Sequence, residues 1–72
     1  PAGYELIGRA YFELGINDLA LKNYDNAIVL GKRRGSNYYY RSMIYERMGL
    51  KDKALKDKQM YKSLGFDPLK GV

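Results

Sequence analysis

Tyr4-Glu5-Leu6-Ile7-Gly8-Arg9-Ala10-Tyr11-Phe12-Glu13-Leu14-Gly15-Ile16-Asn17-Asp18-Leu19-Ala20-Leu21-Lys22-Asn23-Tyr24-Asp25-Asn26-Ala27 is the stretch from which the fold is read. Tyr4, Ile7, Gly8 and Tyr11 recur at helical spacing and form one stripe, and so do Ala20, Tyr24, Ala27 and Ile28 further on. Gly15 separates the two segments and permits a left-handed helix end. Small residues (Gly8, Ala20, Ala27) sit among large ones, which lets two helices approach closely with Tyr24 filling the gap. A glycine inside a helix lowers stability by ~1 kcal/mol relative to alanine, so Gly8 is read as a contact position.

Outward from this stretch the layout returns. Tyr38, Ser42, Tyr45, Gly49 and Ala54 stand 34 residues after Tyr4, Gly8, Tyr11, Gly15 and Ala20. Gly15 and Gly31 lie 16 apart, as do Gly49 and Gly65. The spacing predicts helices over about residues 3–14, 18–31, 36–48 and 52–64. Asn17 or Asp18, Ser36 and Asp52 are the expected caps of the last three. Arg41 occupies the place of Ile7, with its stem expected to pack and its guanidinium to reach water. Lys58 interrupts the apolar stripe of the last helix, which is expected at the outer edge of the array.

A 34-residue period with these residues resembles the tetratricopeptide repeat. Of eight signature positions, the first repeat departs only at Lys32, and the second at Arg41, Lys58, Tyr61 and Phe66. The resemblance implies an all-α chain: a right-handed helix-turn-helix array, or α-solenoid, of two repeats and four antiparallel helices. Residues 1–72 then form a single domain, with repeats over about 1–34 and 35–68 and a short tail at 69–72. The bridge Lys32-Arg33-Arg34-Gly35 has lysine where the family usually has proline, so a less rigid turn is expected there. The chain opens at Pro1 with a helical pattern almost at once and reads as a piece of a longer protein.

Composition narrows the function. The chain has no cysteine and no histidine, which removes disulfides, thiolate nucleophiles, imidazole bases and the usual zinc ligand sets. Neither Glu5 with Glu13 nor Asp52 with Asp57 has partners that would divide acid from base roles, and there is no phosphate loop. No catalytic, cofactor or metal site is expected, and the chain is read as a non-enzyme. No apolar run reaches the ~20 residues of a membrane span, no signal-peptide layout is visible, and a cytoplasmic location is the expectation. Charge is lopsided: residues 1–31 hold two cations against four anions, and residues 32–72 hold eleven against four, within a net charge of +5. This excess is read chiefly as a solvated face.

The resemblance implies a scaffold that binds a protein or peptide in a concave groove lined by the first helix of each repeat. Helical geometry adds which residues face it. Glu5, Arg9 and Phe12 form a stripe beside the core positions with Glu13 next to them, and Tyr39, Met43 and Glu46 form its match with Arg47 alongside. Phe12, Tyr39 and Met43 are the expected apolar patch, with the charged residues at its edge. The family's chaperone-binding carboxylate clamp is not expected, because its matching positions hold Glu5, Arg9 and Tyr40. Two alternatives stand behind this reading. One is a nucleic-acid or acidic-surface module built on the basic second repeat, with Tyr39, Tyr40 and Tyr61 free to stack. The other is a self-association module, in which a homo-oligomer forms through the terminal helix and tail near Tyr61, Leu64, Phe66 and Leu69. Nucleic acid ranks behind protein as partner, and no membrane contact is expected.

Overall fold

The computed structural model describes residues 2–71. It has four helices: α1 (Ala2–Glu13), α2 (Asn17–Leu30), α3 (Gly35–Arg47) and α4 (Lys51–Ser63), with no strand among the described residues. Each begins and ends one residue before its expected place. Neighbours in sequence are neighbours in space: α1 packs on α2, α2 on α3 and α3 on α4, and α1 touches α3 lightly. The radius of gyration is 11.0 Å, which matches a compact globule of this length. No helix among the described residues is long and apolar enough to cross a membrane.

The helix ends explain the one-residue shift. Gly15 has φ +78°, and its N–H donates to the Phe12 carbonyl while the Ile16 N–H donates to that of Tyr11. Gly49 with Leu50 and Gly65 with Phe66 repeat the pair of bonds, at 3.1 and 2.8 Å and at 3.0 and 3.0 Å. These are glycine-closed ends that satisfy otherwise orphaned carbonyls. The apolar residue after the glycine opens the next helix directly, because Ile16 and Leu50 accept the first bonds from the Ala20 and Ala54 N–H groups. Asn17, Asp18 and Asp52 therefore lie inside the first turns and are not the caps that the sequence suggested; the residues before α2 and α4 make no side-chain cap bond. Ser36 likewise falls inside α3, behind Arg34, which makes no side-chain cap bond either.

The turn between α2 and α3 closes differently. Gly31 adopts φ −135°, and its N–H donates to Ala27. The Tyr38 hydroxyl donates to the Lys32 carbonyl at 2.9 Å, so a tyrosine from the next helix fastens the turn where proline is absent.

The core forms where the sequence places small residues against tyrosine. Ala20, Tyr24 and Ile44 are buried together, with Tyr11, Phe12, Leu21 and Tyr40 packed against them. Gly8 approaches the Tyr24 ring so closely that an added Cβ would lie 3.0 Å from it. Tyr24 and Tyr40 stack at 5.6 Å between ring centroids. Several expectations need correction. Tyr4 and Ile7 are 40% and 49% exposed, because the α1 face that carries them has no helix beyond it among the described residues. Leu30, the last residue of α2, is also exposed. Tyr61 is buried, and Tyr40 is held in its stack, so neither is free.

Arg41 does not send its guanidinium to water. It donates to both carboxylate oxygens of Asp57 at 2.8 Å and to Asp25 at 3.0 Å, tying α2, α3 and α4 together. The bond to Asp57 raises the Arg41 pKa further above its already high value. Lys58, which interrupts the apolar stripe, pairs with Glu46 across α3 and α4.

Candidate functional site

A groove of about 400 Å³ opens between α1, the first turns of α3 and the C-terminal turn. Its floor is aromatic: Tyr24 and Tyr40 lie stacked, and Tyr39 meets Tyr40 edge-on at 5.3 Å. Arg9 stands over the Tyr40 ring at 5.3 Å, a cation–π distance. On the rim Arg34 donates to Glu5 at 3.0 Å, joining the start of α3 to α1. Phe66 closes the far end and packs at 5.7 Å from the Tyr39 ring centroid. Burial pushes the Tyr24 phenol well above its ordinary pKa, with Tyr40 adding to the shift, so this ring stays neutral.

Asn37 belongs to the same wall and is 1% exposed. Its side-chain nitrogen and oxygen are both enclosed without a hydrogen-bond partner. A buried carboxamide in this state is destabilising, which sets Asn37 apart from every other groove residue.

Of the residues expected to face the groove, Glu5, Arg9 and Tyr39 line it. The others lie elsewhere. Phe12 is half-buried against Tyr40 and is covered by Arg47, whose guanidinium lies 3.8 Å from its ring centroid and donates to its carbonyl at 2.6 Å. Glu13 pairs with Arg9 at 3.5 Å on the surface of α1. Met43 is half-buried outside the groove lining, and Glu46 is engaged by Lys58. Arg34, Asn37, Tyr40 and Phe66 line the groove without having been expected there. A signal was present for Tyr40, since it follows Asn37 by three residues and precedes Ile44 by four on one helical row.

A larger hollow, about 640 Å³, lies between α3 and α4. Tyr38, Arg41, Tyr45, Lys53, Lys56 and Asp57 are among its walls. Size alone favours it, but the polar groups at its base are already engaged: Arg41 with Asp57, and the Tyr38 hydroxyl with Lys32. The Lys53 ammonium rests over the Tyr45 ring at 5.8 Å.

No family model matches the sequence, and no curated protein or solved structure matches it.

Proposed function

We propose that the chain is a tetratricopeptide-like, two-repeat, right-handed α-solenoid that binds a protein or peptide segment in the groove along α1 and α3. The observation that carries this reading is the groove's make-up: an aromatic floor of Tyr24, Tyr39 and Tyr40 beneath a rim of both charge signs, with an unpartnered carboxamide in its wall. Aromatic and arginine side chains are the usual anchors of protein interfaces. The 34-residue repetition of Tyr4, Gly8, Tyr11, Gly15 and Ala20 supports the architecture.

A second reading is favoured by one observation, the larger hollow with Lys53 and Lys56 at its edge beside Tyr38 and Tyr45. It would take an acidic or nucleic-acid partner. A random-sequence peptide library and a short oligo(dT) separate the two. Under the groove reading, selected peptides bind wild type and lose ~2 kcal/mol of affinity with Tyr39→Ala, while Lys53→Ala/Lys56→Ala binds as wild type at low and high salt. Oligo(dT) binding that falls steeply with salt and vanishes in the double lysine variant, with no peptide selected, overturns it.

A further inference from the structure

Lys32-Arg33-Arg34 is the only run of three cations in the chain, and Ser36 follows it after one glycine. All three cationic residues are exposed. The chain has three serines and no threonine. Ser42 is 1% exposed and donates to the Tyr39 carbonyl, and Ser63 donates to that of Met60. Ser36 is half-buried, lines the groove and makes no side-chain hydrogen bond among the described residues. It alone has arginines two and three residues before it: Ser42 has Tyr40 and Tyr39 there, and Ser63 has Tyr61 and Met60. The start of α3 has no side-chain cap bond, so its first turn frays readily and presents Arg33 to Ser36 as an extended segment.

We propose that Ser36 is a phosphorylation site for a protein kinase whose acidic substrate groove reads Arg33 and Arg34, and that the phosphate draws Arg34 away from Glu5. Charge pattern around the acceptor is one means by which kinases select substrates. Two adjacent guanidinium groups offer two planar forks to the carboxylates of such a groove. In the transfer the Ser36 Oγ attacks the γ-phosphorus of a nucleoside triphosphate. The bond from that phosphorus to the bridging β-phosphate oxygen breaks, the nucleoside diphosphate leaves, and the hydroxyl proton passes to a carboxylate of the kinase.

The surroundings of Ser36 suit the product. Ser36 is the second residue of α3, so a charge of about −2 lands in the first turn, where free N–H groups and the helix dipole favour an anion. Arg9 and Arg34 line the same groove. Asn37, in the same wall, encloses a side-chain nitrogen with no partner, so an acceptor is missing from this end of the groove. Arg34 pairs with Glu5 at 3.0 Å in the unmodified chain. A doubly charged phosphate two residues from Arg34 attracts the guanidinium more strongly than one carboxylate does, and Glu5, left without its cation, then repels the phosphate. The α1 helix loses that tie. The consequence for binding rests on the groove reading: the phosphate fills the α3 end of the groove, and peptides bind there less tightly.

Incubation of the folded chain with an arginine-directed serine kinase and ATP, with the site mapped by mass spectrometry, tests it. Circular dichroism checks the helicity of each variant. One phosphate enters, at Ser36. Ser36→Ala takes none, and Arg33→Ala takes it about tenfold more slowly. Followed by phosphorus nuclear magnetic resonance, the phosphate titrates below its ordinary second pKa of about 6 and returns toward that value in Arg34→Ala. No incorporation, phosphate entering at Ser42 or Ser63 instead, a rate indifferent to Arg33, or a phosphate that titrates as in an unfolded peptide overturns the proposal. Peptides selected on the wild type bind about tenfold less tightly after modification, and undiminished binding overturns the switch. Should no peptide be selected, the groove reading falls, while site mapping and phosphate titration still decide this inference.

Discussion

At the scale of single residues, polar groups in the interior set the sharpest expectations. Asn37 is enclosed with both amide atoms unpaired, so Asn37→Leu, which keeps the same side-chain branching, is expected to raise stability by about 1 kcal/mol. A urea midpoint that falls would contradict this, and a rise accompanied by weaker peptide binding would assign the polar group to the groove. Arg41 is the opposite case. Arg41→Ala leaves Asp57, with its side chain 6% exposed, buried and unpaired, at an expected loss of about 3–5 kcal/mol. The pair was legible after the fact in the numbering, since Arg41 lies 16 residues after Asp25 and 16 before Asp57. It was missed because each residue, taken on its own helix, resembles a surface charge. Alkali supplies a third test. The phenol of Tyr24 is raised above its ordinary pKa of 10.0 by burial, so the folded chain keeps its proton where the unfolded chain releases it. Stability from this group is intact below about pH 10 and declines above it. Tyr24→Phe is expected to flatten that alkaline decline in melting temperature while melting much like wild type at pH 7.

At the scale of helices and turns, glycine and tyrosine spacing was informative and capping was not. Gly15, Gly49 and Gly65 could be read as helix ends because only a residue without Cβ is at ease at positive φ. The caps at Asn17, Asp18 and Asp52 could not, because a glycine end followed at once by an apolar residue leaves no place for a side-chain cap, and Ser36 could not because α3 starts before it, at Gly35. The groove was half legible. Glu5, Arg9 and Tyr39 follow from helix geometry, whereas Phe66 reaches the site only because the C-terminal turn folds back. That turn rests on Gly35, where an added Cβ would stand 2.3 Å from the Phe66 Cβ. Gly35→Ala is therefore expected to lift the turn and separate Phe66 from Tyr39, lowering stability by about 1–3 kcal/mol. Proton chemical shifts of the Phe66 ring moving to solvent-exposed values would register the displacement; unchanged ring shifts would show that the turn tolerates the methyl group.

At the scale of the whole molecule, 72 residues and a small core place the chain near the lower limit for an independent domain. Its helix pairings are almost all between sequence neighbours, a topology that folds fast. Stopped-flow refolding is expected to finish within milliseconds, and a phase lasting seconds would point to association or another slow step. The half of the chain with most positive charge is also the half held by the Arg41 network, so repulsion among its lysines is offset where α3 and α4 meet.

The reach of Arg41 also divides the molecule kinetically. It binds α2, α3 and α4 through one guanidinium, and α1 is outside that set. Toward α3, α1 is held by the Arg34–Glu5 ion pair just before that helix, by the Arg47 contact to Phe12, and by Arg9 and Phe12 against the Tyr40 ring. Local opening is therefore expected to begin with α1 peeling from a three-helix unit held by the arginine. Native-state hydrogen exchange is expected to show the amides of α1 exchanging through a sub-global opening, and those of α2 to α4 only with complete unfolding. Equal protection across all four helices would mean that the packing of Gly8, Tyr11 and Phe12 on α2 and the core couples α1 as firmly as the arginine couples the rest.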